Sequence, residues 1–351
     1  MAFHQCPKCK NKWQYNISKC PDCFLDIERV KNGKVKVIGI SKVNIPTILH
    51  PKIPYFVLVL EDEKGNRWVQ KSVKEYNIND EFILTPLENK QAVSIWKTKY
   101  DIFETIEKTI QLLGGLKINK NSKILILPTL TAVKHPYFRE NTSPDFLENL
   151  LEFLKQTGAN FKNIKIATQS FDNVPVEALA QKSQLSNVAL KYKISPLDLS
   201  KEKFIKKEAS GFSFEISNQA FENDLIINTP ALKLDPELKI MGATNNLLTL
   251  LSKDSYLFFK EKGREGLLKK MNEVVSCFNL AEGIAVKRTD KIITYLGLVF
   301  ASFDSLNLDR TFAETAIIKD LPEYLKDIKI ENILIAGRQI DELKYQIQAT
   351  Y

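Results

Sequence analysis

No run in this 351-residue sequence reaches eighteen uninterrupted apolar residues, so no transmembrane helix is expected. Neither standard glycine-rich phosphate loop is present, which removes the commonest sequence signals for nucleotide binding. No Ser/His/Asp or Cys/His signature marks a nucleophile, and there is no internal repeat and no low-complexity segment. The opening residues, Met-Ala-Phe-His-Gln-Cys, lack a basic stretch before an apolar run, so no secretory signal is expected. Cysteine is scarce, at 5 residues, and four of these fall in two close pairs. That usage fits a reducing cytoplasm better than an oxidising compartment. The fifth, Cys277 in Val-Val-Ser-Cys-Phe, reads as a small buried hydrophobe.

What is present describes a globular chain, with 44% hydrophobic and 10% aromatic residues. Its length suggests two or three domains. The net charge of +8 is unevenly spread: residues 1–97 hold 16 Lys+Arg against 10 Asp+Glu, and the rest 34 against 32. Four thiolates around a divalent metal carry a net negative charge that offsets part of the N-terminal excess. The remaining bias is too mild to be an electrostatic footprint for nucleic acid.

Hydrophobic spacing divides the chain near residue 98. Before it, Lys34–Val37, Tyr55–Leu60, Arg67–Lys71 and Glu81–Leu84 read as short strands, with Glu63-Lys64-Gly65-Asn66 as a hairpin turn. So many short strands in so few residues predict a small barrel. Beyond the seam, strands alternate with helices. Helices are expected from residue 102, from Pro144 with Ser143 as cap, over 236–251, over 263–276 and from about 305. Buried strands are expected at 123–128, 163–168, 224–228, 284–288 and 292–300, and near 332–336. That alternation predicts a three-layer α/β domain. The predicted division is a rubredoxin-like zinc ribbon over 1–30, an OB-like β-barrel over 31–98 and a large α/β domain over 99–351.

The strongest chemical signal is Cys6-Pro-Lys-Cys9 followed, ten residues later, by Cys20-Pro-Asp-Cys23. Each C-x-x-C turn sets two thiolates on one side of a tight loop, and two such turns face each other as a tetrahedron. Zn2+ favours soft thiolates, and four of them leave no open position, so the site is structural. Two disulfides and a rubredoxin-like iron site are the alternatives. No iron–sulfur cluster is expected.

Two resemblances cover most of the chain. The paired Cys-Pro-x-Cys turns, Gly33-Lys-Val-Lys-Val-Ile-Gly, Pro54 through Glu61, Trp68 and Asn79-Asp80-Glu81 resemble the zinc-ribbon/OB-fold family catalogued as domain of unknown function 35. This implies a module that accompanies thiolase-like enzymes and holds a coenzyme A thioester between them. Lys10 and Phe24 stand where such ribbons often have glycine. Residues 100–340 resemble the family catalogued as domain of unknown function 362. The carrying segments are Leu112–Gly115 before Ile124–Pro128, Thr142-Ser143-Pro144, Ile227–Lys233, Gly242–Asn246, and Ala301–Asp304 with Asp309. The chain departs from that pattern at Thr129, Leu234-Asp235, Asn245 and Glu282, and it lacks the ferredoxin-type cysteine runs of many members. The lost imidazole and basic group are those best suited to move protons or bind anions, so a non-catalytic copy and an enzyme both stand as readings.

Candidate ligand contacts in the α/β domain are Asn228, Lys233, Asn246, Asp304 and His135. Lys233 and the two asparagines belong at the carboxyl ends of strands, where open α/β sheets bind ligands, with helix 236–251 presenting its N-terminus to an anion. The competing readings are a solvated Lys233, Asp235 and Asp304 as helix caps, and a solvated loop His135. Trp68, Tyr55, Phe56, Tyr76 and Lys71 are either a stacking surface for single-stranded nucleic acid or barrel core. The leading expectation is a zinc-binding cytoplasmic protein that docks a metabolic enzyme or acyl-CoA-type ligand through its ribbon-barrel and a small anion in its α/β cleft. An enzyme acting around Lys233 and a nucleic-acid binder are the alternatives.

Overall fold

The computed structural model describes residues 3–13, 17–30, 34–46, 53–72, 74–82, 89–99, 101–209 and 211–344. The chain divides into two compact units, one of Met1–Thr85 with Lys99–Glu104 and one of Pro86–Thr98 with Thr105–Tyr351.

In the first unit, β1 (Phe3–Gln5) lies between β2 (Lys12–Trp13) and β3 (Glu28–Val30) in a small antiparallel sheet. A second antiparallel sheet has the order β4 (Val35–Val43), β5 (Tyr55–Asp62), β6 (Arg67–Ser72). Strand β5 alternates strongly, with Phe56, Leu58 and Leu60 all buried. These pack with Phe3, Val37 and Trp68 into one apolar cluster, Phe3 meeting Trp68 edge-on at 6.1 Å between ring centroids. The tight Asp62–Arg67 turn is held by the Asp62 carboxylate, which accepts from the backbone N–H groups of Lys64 and Asn66. Glu81 bridges to Lys36, and Phe82 packs on Tyr76; Ile83 and Leu84 of the expected fourth strand lie outside the described residues.

The second unit is a mixed α/β body around a ten-stranded sheet. Its strands are β7 (Val93–Lys97), β8 (Ile124–Pro128), β9 (Ile164–Thr168), β10 (Pro196–Asp198), β13 (Leu225–Thr229), β14 (Ala231–Asp235), β15 (Lys239–Met241), β16 (Phe278–Lys287), β17 (Ile293–Ser302) and β18 (Ile335–Gly337). The main path runs β10-β9-β8-β13-β16-β17-β7-β18, and β14 pairs with both β15 and β16. The run from β10 to β16 is parallel, and β17 is antiparallel to both of its neighbours. Strand β8 is buried along its whole length, as a parallel strand covered on both faces must be. Residues 93–97, which the sequence reading put in the barrel, are therefore a strand of this sheet, because Val93 and Ile95 bury completely in its core.

The connecting helices are α1 (Ile102–Gln111), α2 (Pro144–Gln156), α3 (Val176–Lys182), α4 (Leu185–Lys191), α5 (Gln219–Glu222), α6 (Ala243–Asn246), α7 (Lys253–Lys262), α8 (Arg264–Val274), α9 (Ser305–Thr315) and α10 (Glu323–Lys326). A separate hairpin, β11 (Phe204–Ala209) with β12 (Phe212–Ser217), was not foreseen. Helix α2 starts as its sequence dictates: Ser143 accepts from Phe146 N–H, and Pro144 needs no donor. The expected helix 236–251 is overturned. Asp235 does accept from the N–H groups of Glu237 and Leu238, at 2.9 and 2.8 Å, but it closes the β14–β15 turn. The apolar residues Leu234, Ile240, Ala243, Leu247 and Leu248 are all buried, so the same spacing serves two short strands and a short helix. Among the described residues no helix is long and apolar enough to cross a membrane.

Candidate functional site

Two polar centres stand out, one in each unit. In the first, Cys6, Cys9, Cys20 and Cys23 bring their sulfurs within 4.8 Å of one another. Sulfurs at tetrahedral corners around zinc, with Zn–S near 2.3 Å, lie about 3.8 Å apart. The Cys9 and Cys20 sulfurs are 3.6 Å apart, so the set fits a metal of that size. Each knuckle closes by backbone bonds: Lys10 N–H to Cys6 O, and Phe24 N–H to Cys20 O. Lys10 (φ 62°) and Phe24 (φ 55°) are both left-handed, the conformation that glycine adopts without strain. His4 points elsewhere, its Nε2 lying 3.3 Å from Asp101 Oδ2.

The second centre lies at the carboxyl ends of β8, β9 and β13. Asn228 and Asn246 are both buried there, and neither is free to meet a ligand. Asn228 Nδ2 donates to Ala243 O (2.9 Å) and Asn279 Oδ1 (2.7 Å), and its Oδ1 accepts from Asn246 Nδ2 (2.7 Å). Asn246 Nδ2 also donates to Leu127 O (2.8 Å), and its Oδ1 accepts from the Thr129 hydroxyl (2.8 Å). Thr129 Oγ1 in turn accepts from Ala231 N–H (3.1 Å). Asn279 extends the chain to Ser302 O, Ser305 and Cys277. This network ties five strands, β8, β13, β14, β16 and β17, to α6 and α9 and spends the donors and acceptors of its amides on protein. Sequence reading placed Asn228 and Asn246 here but took them for ligand contacts; it did not find Asn279. Cys277 is buried as expected, and burial pushes its thiol up to about 12.

Beside the network opens a cleft of ≈ 70 Å³, lined by Thr129, Thr131, Phe171, Ala231, Lys233, Met241, Gly242, Asn245, Asn246, Leu248, Thr249, Tyr256 and Arg264. Lys233 is 5% exposed, which excludes the solvated reading. Its ammonium donates to Glu140 O at 2.8 Å and lies 3.3 Å from Glu140 Oε2. Lys287 donates to the other carboxylate oxygen of Glu140. Burial works to raise Glu140, but the hydrogen bond from Lys287 and the charge of Lys233 outweigh it and hold the carboxyl below its usual range. Burial lowers Lys233, and Glu140 opposes this only in part because its single charge is shared. A second cation, Arg264, has its side chain 11% exposed and lies 3.4 Å from Glu237. Phe171 and Tyr256 form a flat wall, stacked at 3.7 Å with 3° between their planes.

The N-terminus of α6 is not open to an anion. Helix α6 has four residues, and the Asp309 carboxylate accepts from Ala243 N–H (2.6 Å) and Thr244 N–H (3.0 Å). Gly242 permits this approach, since a Cβ there would stand 2.1 Å from Asp309 Oδ1. Burial pushes Asp309 up to about 6 against those hydrogen bonds. Glu282 is buried likewise, bonded to Ser143 N–H and hydroxyl, and burial raises it against the pull of Ser143 and Arg139. Asp304 and His135 take no part in the cleft. Asp304 caps α9 by accepting from Asn307 N–H at 2.9 Å. His135 is exposed, its Nδ1 accepting from Tyr137 N–H and its Nε2 lying 3.1 Å from Gln184 Nε2. The cleft's Arg264, Phe171 and Tyr256, and Glu140 and Lys287 beside it, went unnoticed, because no local pattern links these separate segments.

No curated protein sequence matches the chain. Among solved structures, one described as "Ltp2-ChsH2(DUF35) aldolase" is similar to the N-terminal region, at 24% identity over 25% of this chain and 74% of that chain, with a TM-score of 0.21. The lactate racemase apoprotein from Thermoanaerobacterium thermosaccharolyticum is similar at 14% identity over 64% of this chain and 57% of that one, with a TM-score of 0.38. Both superpositions are partial, and neither supports an argument about chemistry. The model of the family described as "Domain of unknown function (DUF362)" matches residues 124–314, more than half of the chain, and the chain belongs to that family.

Proposed function

We propose that the α/β unit binds a small anion in the cleft at Lys233. The observation that carries this reading is charge: two ammonium groups, Lys233 and Lys287, face the single carboxylate of Glu140, and Lys233 lines the cleft. Arg264 adds a cation matched by Glu237. Asp235 also acts on Lys233, so the reading rests not on a net charge but on a buried ammonium that lines the cleft, where an anion is held more strongly than in water. The test is calorimetric titration with acetate. Lys233→Met should weaken binding ten- to a hundredfold, the range expected for losing a charged hydrogen bond of about 1.5–3 kcal/mol. An unchanged affinity would remove the reading. An enzyme using Lys233 as a base has one observation in its favour, the lowered basicity of that buried amine.

For the first unit we read the two small sheets as a zinc ribbon and an OB-like barrel. With four thiolates the metal has no open position, which suits docking and not catalysis. The partner implied by resemblance is a thiolase-like enzyme or an acyl-CoA-type thioester. A nucleic-acid face finds less support, because Tyr55, Phe56 and Trp68 are buried.

A further inference from the structure

Lys233 stands opposite Met241 in the β14–β15 pairing, and Ala231, two residues before it, shares its face of the strand. All three line the cleft, while Leu232, Leu234 and Ile240 of the opposite face belong to the apolar core. The Lys233 nitrogen donates to Glu140 O at 2.8 Å and lies 3.3 Å from Glu140 Oε2, and it has no other hydrogen-bond partner among the described residues. Two of its tetrahedral corners are thus turned to Glu140, and a third is its own Cε. The fourth carries a proton in the ammonium and the reactive lone pair in the amine. Burial favours the amine and the charge of Lys287 adds to this, against Glu140 and Asp235, so Lys233 is held below the usual basicity of lysine. A desolvated lysine beside a second cation is the setting in which lysine attacks carbonyl carbon.

We infer that the Lys233 amine forms an imine with a small aldehyde or ketone in the cleft. The step balances without an oxidant or reductant. The nitrogen lone pair bonds to the carbonyl carbon, the π pair moves to oxygen, and both amine protons pass to that oxygen, which leaves as water. Glu140 Oε2, 3.3 Å from the nitrogen, is within reach to accept the proton that the nitrogen sheds. Size limits the partner: ≈ 70 Å³ holds about five water positions at roughly 10–15 Å³ each, hence a carbonyl compound of about five non-hydrogen atoms or fewer. The anion reading needs the ammonium and this one needs the amine, so each can fail alone.

The experiment treats the full-length, metal-loaded protein with acetaldehyde and sodium cyanoborohydride at neutral pH and locates N-ethyl lysine by peptide mass spectrometry. Lys233 should be marked at least about tenfold faster than the exposed Lys155 and Lys206, which serve as internal references. Benzaldehyde, too large for the cleft, should show no such preference. Ala231→Leu, which fills the cleft from the same strand face, should remove the acetaldehyde preference as well. Marking of Lys233 no faster than the references overturns the inference, and an equal preference with benzaldehyde overturns the cleft as the place of reaction. The unmodified protein alone decides these outcomes if Ala231→Leu does not fold. Selective marking of Lys233 in a protein that binds no acetate removes the anion reading and keeps this one.

Discussion

The cysteine cluster and the asparagine network are both polar centres that hold their surroundings together, and they differ in how far apart their members lie. The cysteines come from one stretch of eighteen residues, Cys6 to Cys23, in two turns that each close on themselves. The network draws Asn228, Asn246, Asn279 and Thr129 from four segments, with bonds that span 51 residues (Asn228 to Asn279) and 117 residues (Thr129 to Asn246). A local centre can form whenever its ligand binds. A dispersed one exists only once the sheet has been assembled, and it then penalises any loss of a member.

The sharpest break in that comparison is metal removal. A structural zinc site contributes on the order of 10–16 kcal/mol of binding free energy in small peptides, and that energy is folding energy. Chelation, or Cys9→Ser, should abolish hydrogen-exchange protection over residues 3–30 and leave β8, β13 and β16 protected. Acid should do the same, since the ligands are thiolates and metal affinity falls as they protonate. Protection of 3–30 without metal would remove the closed structural site.

Next in size is Asn228→Ala. It takes the Asn228 donor from Ala243 O and removes one bond each from Asn279 Oδ1, which keeps Ser305 and Cys277, and from Asn246 Nδ2, which keeps Leu127 O. At about 1–3 kcal/mol for a buried group left unsatisfied, the loss should be about 2–3 kcal/mol by urea denaturation. Metal content should not change. A loss below about 1 kcal/mol would show that the network is dispensable.

The smallest effect sharpens the local side. Phe24 is 75% exposed and held at φ 55°, so its side chain contributes little there and its backbone is strained. Phe24→Gly should stabilise the metal-bound first unit by about 0.5–1 kcal/mol, the left-handed strain less the added flexibility of the unfolded chain. Thermal unfolding at saturating zinc measures it, and a lower midpoint would contradict it.

Legibility follows the same division. Ser143 before Pro144 and Asp304 before α9 were readable as caps because capping is settled within three residues. Helix 236–251 was misread because helical apolar spacing over 234–251 also satisfies two strands and a short helix, and the edge of β16 decided between them. Asn245 and Glu282 were noticed as departures from a family pattern, yet their roles rest on Tyr324 and on Ser143 with Arg139, which no spacing connects to them.

By itself the sequence determined the cluster of four cysteines and an alternation of strands and helices beyond the first hundred residues, whereas Lys233, expected past a strand end, lies in the middle of β14. The cluster and the alternation depend on interactions within a few residues. Only the tertiary structure decided what Lys233 does, because its partner Glu140 lies 93 residues away and Lys287 competes for the same carboxylate. It also decided that Asn228 and Asn246 serve the fold. Hydrogen-bond saturation is a property of the assembled core, since each amide is satisfied or stranded by groups that meet it only after folding.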